Sequence, residues 1–400
     1  MAQLTANVRI ITVTRMLSST GFSATIPFLA LYLAVERSTP LELVGAMYLL
    51  QAVAGLVSQI VSGLVSDRIG AKKTYLMGNA FAAAAALYMA ALISMDVSPL
   101  VIILTYPAFS LFRGFTIPAG AALIADEKTD MVTNFSVLTM AANLGFSLGP
   151  ALGGFLVSYT GYGFLFVFSA AMSFVGLGAS AILREGTDHL ARNKARALPD
   201  RSVMAFVLLA FLGYVVIGQD IEPFALYAGN FAAMSNLDIG YIFSFSGLMI
   251  VALQIPLMRL LAGHRKHSLI VGSSAVALLG FGLLCFARTL PDFFASMAVL
   301  TLAEILFVVP SQIWITAKAP ASRKGAYQGY YGAARSAGRS SAAWLGSTVQ
   351  GLFYQATELT WVVMAGLALA MGVGFALHGS PERKREPTAA GPTRDQGPDG

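Results

Sequence analysis

Charge is what this chain has least of. Only 12% of its 400 residues are charged, against 56% hydrophobic, too little polar surface to cover a water-soluble globule of this size. A mean hydropathy of +0.70 makes lipid the solvent for most of the chain. Cysteine is scarcer still: Cys285 stands alone, which excludes an intrachain disulfide and leaves it as a packing residue in an apolar run. The four histidines, His189, His264, His267 and His378, fall in loops or at a helix end. They form no ligand set, so neither a metal nor a cofactor is expected. No Gly-x-x-x-x-Gly-Lys-Ser/Thr string is present to cradle nucleotide phosphates, and no nucleophile–base constellation points to an enzyme. Residues 1–7 lack the charged n-region of a signal peptide, so the first apolar stretch is expected to stay as a helix.

What is present is a series of apolar runs of about 20 residues or more, the length needed to cross a roughly 30 Å hydrocarbon core as helix. Breaks at polar and turn-forming residues predict helices over 8–35, 42–65, 73–95, 98–125, 131–158 and 162–183, then 202–229, 239–261, 268–287, 293–316, 326–354 and 359–378. The expected fold is an all-α membrane protein of twelve transmembrane helices in two six-helix bundles. The expected organisation is one bundle over 1–183, a cytoplasmic linker over 184–201, a second bundle over 202–379, and a Pro/Gly-rich disordered tail over 380–400.

The net charge of +6 does not call for nucleic acid. With both termini placed in the cytoplasm, the inner loops and tail hold Arg68, Lys72, Lys73, Lys128, Arg184, Arg265, Lys266, Lys318 and most other basic residues, whereas the outer loops hold only Arg37 and Arg288. That asymmetry is the positive-inside rule for a multi-pass protein of the cytoplasmic membrane. The halves also echo one another. GLVSDRIGAKKTYLMG from Gly63 aligns with LMRLLAGHRKHSLIVG from Leu257, keeping basic residues and the final glycine but losing the aspartate. Two such repeats are the layout in which bundles rock about a midplane site.

Two motifs carry a family resemblance. Gly63, Asp67, Arg68, Gly70, Lys72 and Lys73 lie in GLVSDRIGAKK, a short turn between two helices with an acid beside a cluster of cations. Breaking a contact of that acid would serve as a gate. The string resembles the loop signature of the major facilitator superfamily, with Ala71 where the family has a basic residue. Gly145, Gly149, Pro150, Gly153 and Gly154 spell GFSLGPALGG, small residues at spacing four that let another helix approach. This resembles the antiporter motif of the drug/proton antiporter branch, in which the helix lies between the bundles. The resemblance covers residues 8–380. It implies an alternating-access transporter of the proton-driven efflux kind that exports small amphipathic compounds, has protons, a small-molecule substrate and membrane lipid as partners, and works as a monomer.

Few charges lie inside the predicted spans, and burying each costs several kcal/mol. The acids are Asp220, Glu222 and Glu304; the bases are Arg15, Arg113, Arg335 and Arg339, with Arg15 and Arg259 near enough to the inner face to snorkel. Burial favours a neutral acid and a neighbouring guanidinium favours the carboxylate, so relative motion of the two would load and unload a proton. Glu304, Asp220, Glu222 and Arg113 are therefore the proton-coupling candidates. Asp220 in GQDIEPF, Glu304 in LAEILFVVPS and Arg113-Gly114 also resemble residues of multidrug/proton antiporters. Depth counted along the helices pairs Glu304 with Arg335, and Asp220 or Glu222 with Arg339. The same arginines, with Tyr330 and Tyr331, would alternatively line a substrate cavity for an anionic metabolite. A receptor or scaffold that has kept the fold without transporting is the reading from another class.

Overall fold

The computed structural model describes residues 4–125, 131–184, 200–320 and 324–383; the predicted linker and tail lie almost wholly outside them. Every regular element among the described residues is helical. Twelve long helical segments follow in order: α1 Ala6–Glu36, α2 Leu41–Ile69, α3 Ala71–Ser94, α4 Pro99–Ile124, α5 Met131–Thr160, α6 Tyr162–Ala181, α7 Arg201–Phe231, α8 Asn236–Leu260, α9 Lys266–Phe286, α10 Leu290–Lys318, α11 Lys324–Leu352 and α12 Leu359–Arg383. Eleven of them are long and apolar enough to cross a membrane. The exception, α11, is long enough at 29 residues but carries Gly, Ser, Ala and two arginines where the others carry Leu and Val. It is shielded by α2 and α7, against which it packs.

Connections are tight. Gly70 joins α2 to α3 at φ +93°, a conformation costly for any residue with a Cβ. α8 and α10 each begin with a capping box, Ser235 with Asp238 and Thr289 with Asp292. Within the first six helices α1 packs on α5 and α6, and α3 on α6; within the second six α9 packs on α10 and α12. The bundles meet where α5 lies on α8 and α2 on α11.

Small residues decide how closely these helices approach. A methyl group built on Gly149 would meet Ser23 Oγ, the Thr20 carbonyl (2.6 Å) and the Ala24 nitrogen (2.7 Å), while at Gly145 and Gly153 it would meet the Met16 and Ala24 carbonyls. Three motif glycines thus seat α5 on α1 inside the first bundle. Gly154 faces the other way, against Gly240 of α8, and is the one that sets the approach of the bundles.

The close approaches between halves fall toward the face opposite the termini: Gly154 on Gly240, Gly229 on Leu31, Gly45 on Trp344 and Ser347, and Tyr162 hydrogen-bonded to Asn236 at 2.9 Å. Toward the face that holds the termini, Gly55 and Gly63 of α2 and Gly329 and Gly332 of α11 have nothing near the position of a methyl group. The closest glycine contacts between the bundles thus lie toward the far side.

Candidate functional site

Two of the twelve segments are broken at mid-depth, and the breaks place the charges. In α7 the helix stops at Ile217, runs through a 3₁₀ turn over Gly218–Asp220, and restarts at Glu222–Leu226. Pro223 explains the interruption, since it lacks the N–H that a continuous helix would need and its ring crowds the preceding turn. The carbonyl of Pro223, which also accepts from the Tyr227 N–H, accepts from Gln350 Nε2 (2.8 Å), and Gln219 Nε2 donates to the Ala342 carbonyl (3.2 Å). Two amides thus strap the broken part of α7 to α11. In α4 a turn at Phe115 follows Arg113-Gly114, where Ser62 Oγ donates to the Phe115 carbonyl (2.7 Å) and Ser58 Oγ to that of Leu111. These α2 serines satisfy backbone groups that lipid could not.

At the centre Arg339 Nη2 of α11 donates to Glu304 Oε1 of α10 at 2.6 Å, with side-chain exposures of 23% and 18%. Asp220 is 8% exposed and its Oδ1 finds no hydrogen-bond donor among the described residues. The Arg339 guanidinium is within electrostatic reach of Asp220 and Glu222 as well as Glu304, so three acids face one cation.

The expected pairing of Glu304 with Arg335 is corrected: Arg339 takes Glu304. The reason is helix length. α10 and α11 each run 29 residues, about 43 Å and well beyond the hydrocarbon core, so depth counted from opposite ends misplaces the register. Counted from the terminus side, Glu304 and Arg339 both lie about 21–22 Å along their helices and Arg335 about 17 Å. Arg15 is corrected as well. It does not snorkel, because its Nη1 is enclosed without a hydrogen-bond partner among the described residues.

The other candidates distribute as follows. Arg113 stacks on Phe22 of α1, Cζ to ring centroid 3.7 Å, and Arg339 lies 5.7 Å from the ring of Phe146 of α5. The two rings are 6.4 Å apart, so aromatic faces separate the arginines of opposite bundles. Tyr331 is buried inside the second bundle with its hydroxyl 2.8 Å from that of Tyr214, while Tyr330 is half-buried. Asp67, Arg68 and Lys73 are exposed at the α2–α3 turn, and Lys72 is half-buried. Ala71 packs with Val8, Ile11, Tyr75 and Ala119, a setting with no room in water for the basic residue the family motif carries. Pro150 is buried in α5 beside Gly149.

Sequence reasoning missed the straps Gln219 and Gln350, although an amide inside an apolar span next to a proline is a readable signal. It also missed that His267 Nε2 and His378 Nδ1 meet at 2.8 Å, with His267 edge-on to Phe206 and both rings edge-on to Trp314. They are 111 positions apart, and only the fold stacks one ring on the other.

Two helical bundles shut at one face, with discontinuous helices and buried charges at mid-depth, define a membrane transporter. The chain belongs to the Major Facilitator Superfamily, whose pattern it matches over residues 11–343. It is similar to the uncharacterized MFS-type transporter YttB of Bacillus subtilis (23% identity over 83% of this chain and 85% of that one). It is also similar to a Na(+), Li(+), K(+)/H(+) antiporter of Planococcus maritimus (24% identity, 77% and 81%). Among solved structures, that of the POT family transporter PepTSo aligns with TM-score 0.73 at 14% identity, covering 96% of this chain and 99% of the other. The likeness is one of fold.

Proposed function

We propose that this transporter is a proton-coupled antiporter of the cytoplasmic membrane, with both termini cytoplasmic, that exchanges protons for a small solute by alternating access. The observation that carries the reading is the Glu304–Arg339 pair beside buried Asp220, whose Oδ1 has no donor among the described residues. One guanidinium serves two carboxylates on different helices. A proton arriving at Glu304 removes the charge that holds Arg339, which is then free to turn to Asp220 on the broken part of α7. Because Gln219 and Gln350 strap that part to α11, the exchange would move α10 against α7 and α11 together. Export is the favoured direction, supported by the glycine series of α5 and by the relative named as an antiporter with protons. The α2–α3 turn with Asp67 and its cations lies on the face opposite the close Gly154–Gly240 contact, where a gate would act.

The test is reconstitution of the full chain in vesicles enclosing a pH-sensitive dye. A panel of amphipathic solutes is added, and the expected result is that at least one shifts the internal pH, and that an imposed pH gradient drives its movement. Solute flux indifferent to the gradient would overturn the coupling. Retained solute binding with no flux under any condition would favour a receptor.

A further inference from the structure

The arginines left over once Arg339 is paired form a group of their own. Arg15 of α1, Arg113 of α4 and Arg335 of α11 have no ion pair among the described residues, and Arg15 Nη1 and Arg113 Nε are enclosed without any hydrogen-bond partner there. Counted from the terminus-side ends of their helices, they lie about 14, 17 and 17 Å deep. That is one layer, about a helical turn below Glu304 and Arg339. Arg15 lies between the other two in charge contact: it is within electrostatic reach of both Arg113 and Arg335. All three side chains are half-buried, so each keeps part of its surface accessible. Arg113 is further held in place by the Phe22 ring at 3.7 Å. Near Arg335 are the Tyr214 and Tyr331 hydroxyls, and near Arg15 that of Tyr75, which is hydrogen-bonded to Thr14 at 2.6 Å.

Three like charges from both bundles, at one level and without an ion pair among the described residues, repel one another, and Arg15 and Arg113 each hold a guanidinium nitrogen shut off from water. Such a group persists where an anion completes it, and guanidinium forks match the oxygens of a carboxylate or phosphate. We propose that Arg15, Arg113 and Arg335 bind the anionic head of the transported solute, a carboxylate or phosphate, at the junction of the two bundles. The cargo is then an organic anion and not a lipophilic cation. The assignment deepens the transport reading and rests on it for the word cargo, but the site itself is read without any gradient. Because Arg15 and Arg113 belong to one bundle and Arg335 to the other, an anion bridging them also screens the repulsion between the bundles' arginines.

Thermal unfolding of the purified full chain in neutral detergent tests this with inorganic phosphate, citrate, benzoate and tetraphenylphosphonium, and separately with phosphatidylglycerol in the micelle. At least one of the three anions is expected to raise the melting temperature saturably by about 10 mM, ten times a Kd of 1 mM. Arg15→Gln and Arg335→Gln should each weaken that binding about tenfold or more, with partial recovery in Arg335→Lys. Removing one of three repelling cations should leave the unliganded melting temperature unchanged or higher, so the variants remain measurable. The proposal is overturned if none of the three anions stabilises the wild type, if only tetraphenylphosphonium does, if only phosphatidylglycerol does, or if the Gln variants bind as the wild type. Glu304→Gln should keep the anion-induced stabilisation. Arginine-dependent binding in a protein that moves no protons would sink the coupling and leave this site standing.

Discussion

Gly154 and Gly240 are the narrowest point of the shut side, and enlarging either should open it. A methyl group on Gly240 would sit 2.9 Å from Gly154 Cα and 3.2 Å from its carbonyl carbon. Both are backbone atoms and cannot rotate away, so α5 and α8 must separate. Overpacking of this kind costs about 1–3 kcal/mol. The cost falls only on the state in which the far side is closed, because the helices are apart in the other. The equilibrium therefore shifts about 5–150-fold toward far-side opening in Gly240→Ala. Gly154→Ala should shift it further, since its methyl group would overlap Gly240 Cα itself. The assay replaces Cys285 by serine and adds Ser147→Cys, a position about two turns below the contact and packed on Gly247 of α8. Labelling by a membrane-impermeant maleimide applied outside intact cells should speed up at least about fivefold in Gly240→Ala. Labelling at the wild-type rate in both glycine variants, with the reporter reactive in detergent, would refute the assignment of this contact as the closure.

Gly149→Ala should lower stability by about 1–3 kcal/mol through the α1 backbone it meets, whereas Gly63→Ala, with open space around it, should leave stability unchanged or raise it by up to about 1 kcal/mol; paired thermal melts compare them. Gln350→Leu removes the strap to the Pro223 carbonyl, which keeps the Tyr227 N–H as donor, and should cost about 0.5–1.5 kcal/mol, read as a lower melting temperature; an unchanged value would mean that the strap carries nothing. Arg339→Gln strands Glu304 inside the bundle and should destabilise by about 3 kcal/mol. The double variant with Glu304→Gln should recover most of that loss, and additive losses would show that the two do not act as a pair.

The twelve helices are legible in the sequence because lipid demands long apolar runs, and turns such as Gly70 interrupt them. α11 is legible even though its composition is hardly apolar, because Gly325, Gly329 and Gly332 and the small residues after Arg335 still leave an uninterrupted stretch between polar breaks. Partner choice is less legible. Which arginine meets Glu304 depends on how far α10 and α11 overshoot the bilayer, and a 29-residue helix leaves two turns of freedom that spacing cannot fix. Arg15 lies near enough to the helix end to suggest snorkelling, but α1 is central and packed on α5 and α6, so the side chain has no route out. The antiporter resemblance sets the glycine helix between the bundles. Only Gly154 faces across, and its neighbour Gly153 turns to α1 because one residue rotates a helix by about 100°.

The central claim is that Glu304 carries the coupling proton, and Glu304→Gln in reconstituted vesicles tests it most directly. Solute exchange down its own gradient should persist, because the arginine layer is untouched, while an imposed pH gradient no longer drives accumulation and solute addition no longer shifts the internal pH. Accumulation driven by the pH gradient at the wild-type level in Glu304→Gln would contradict it.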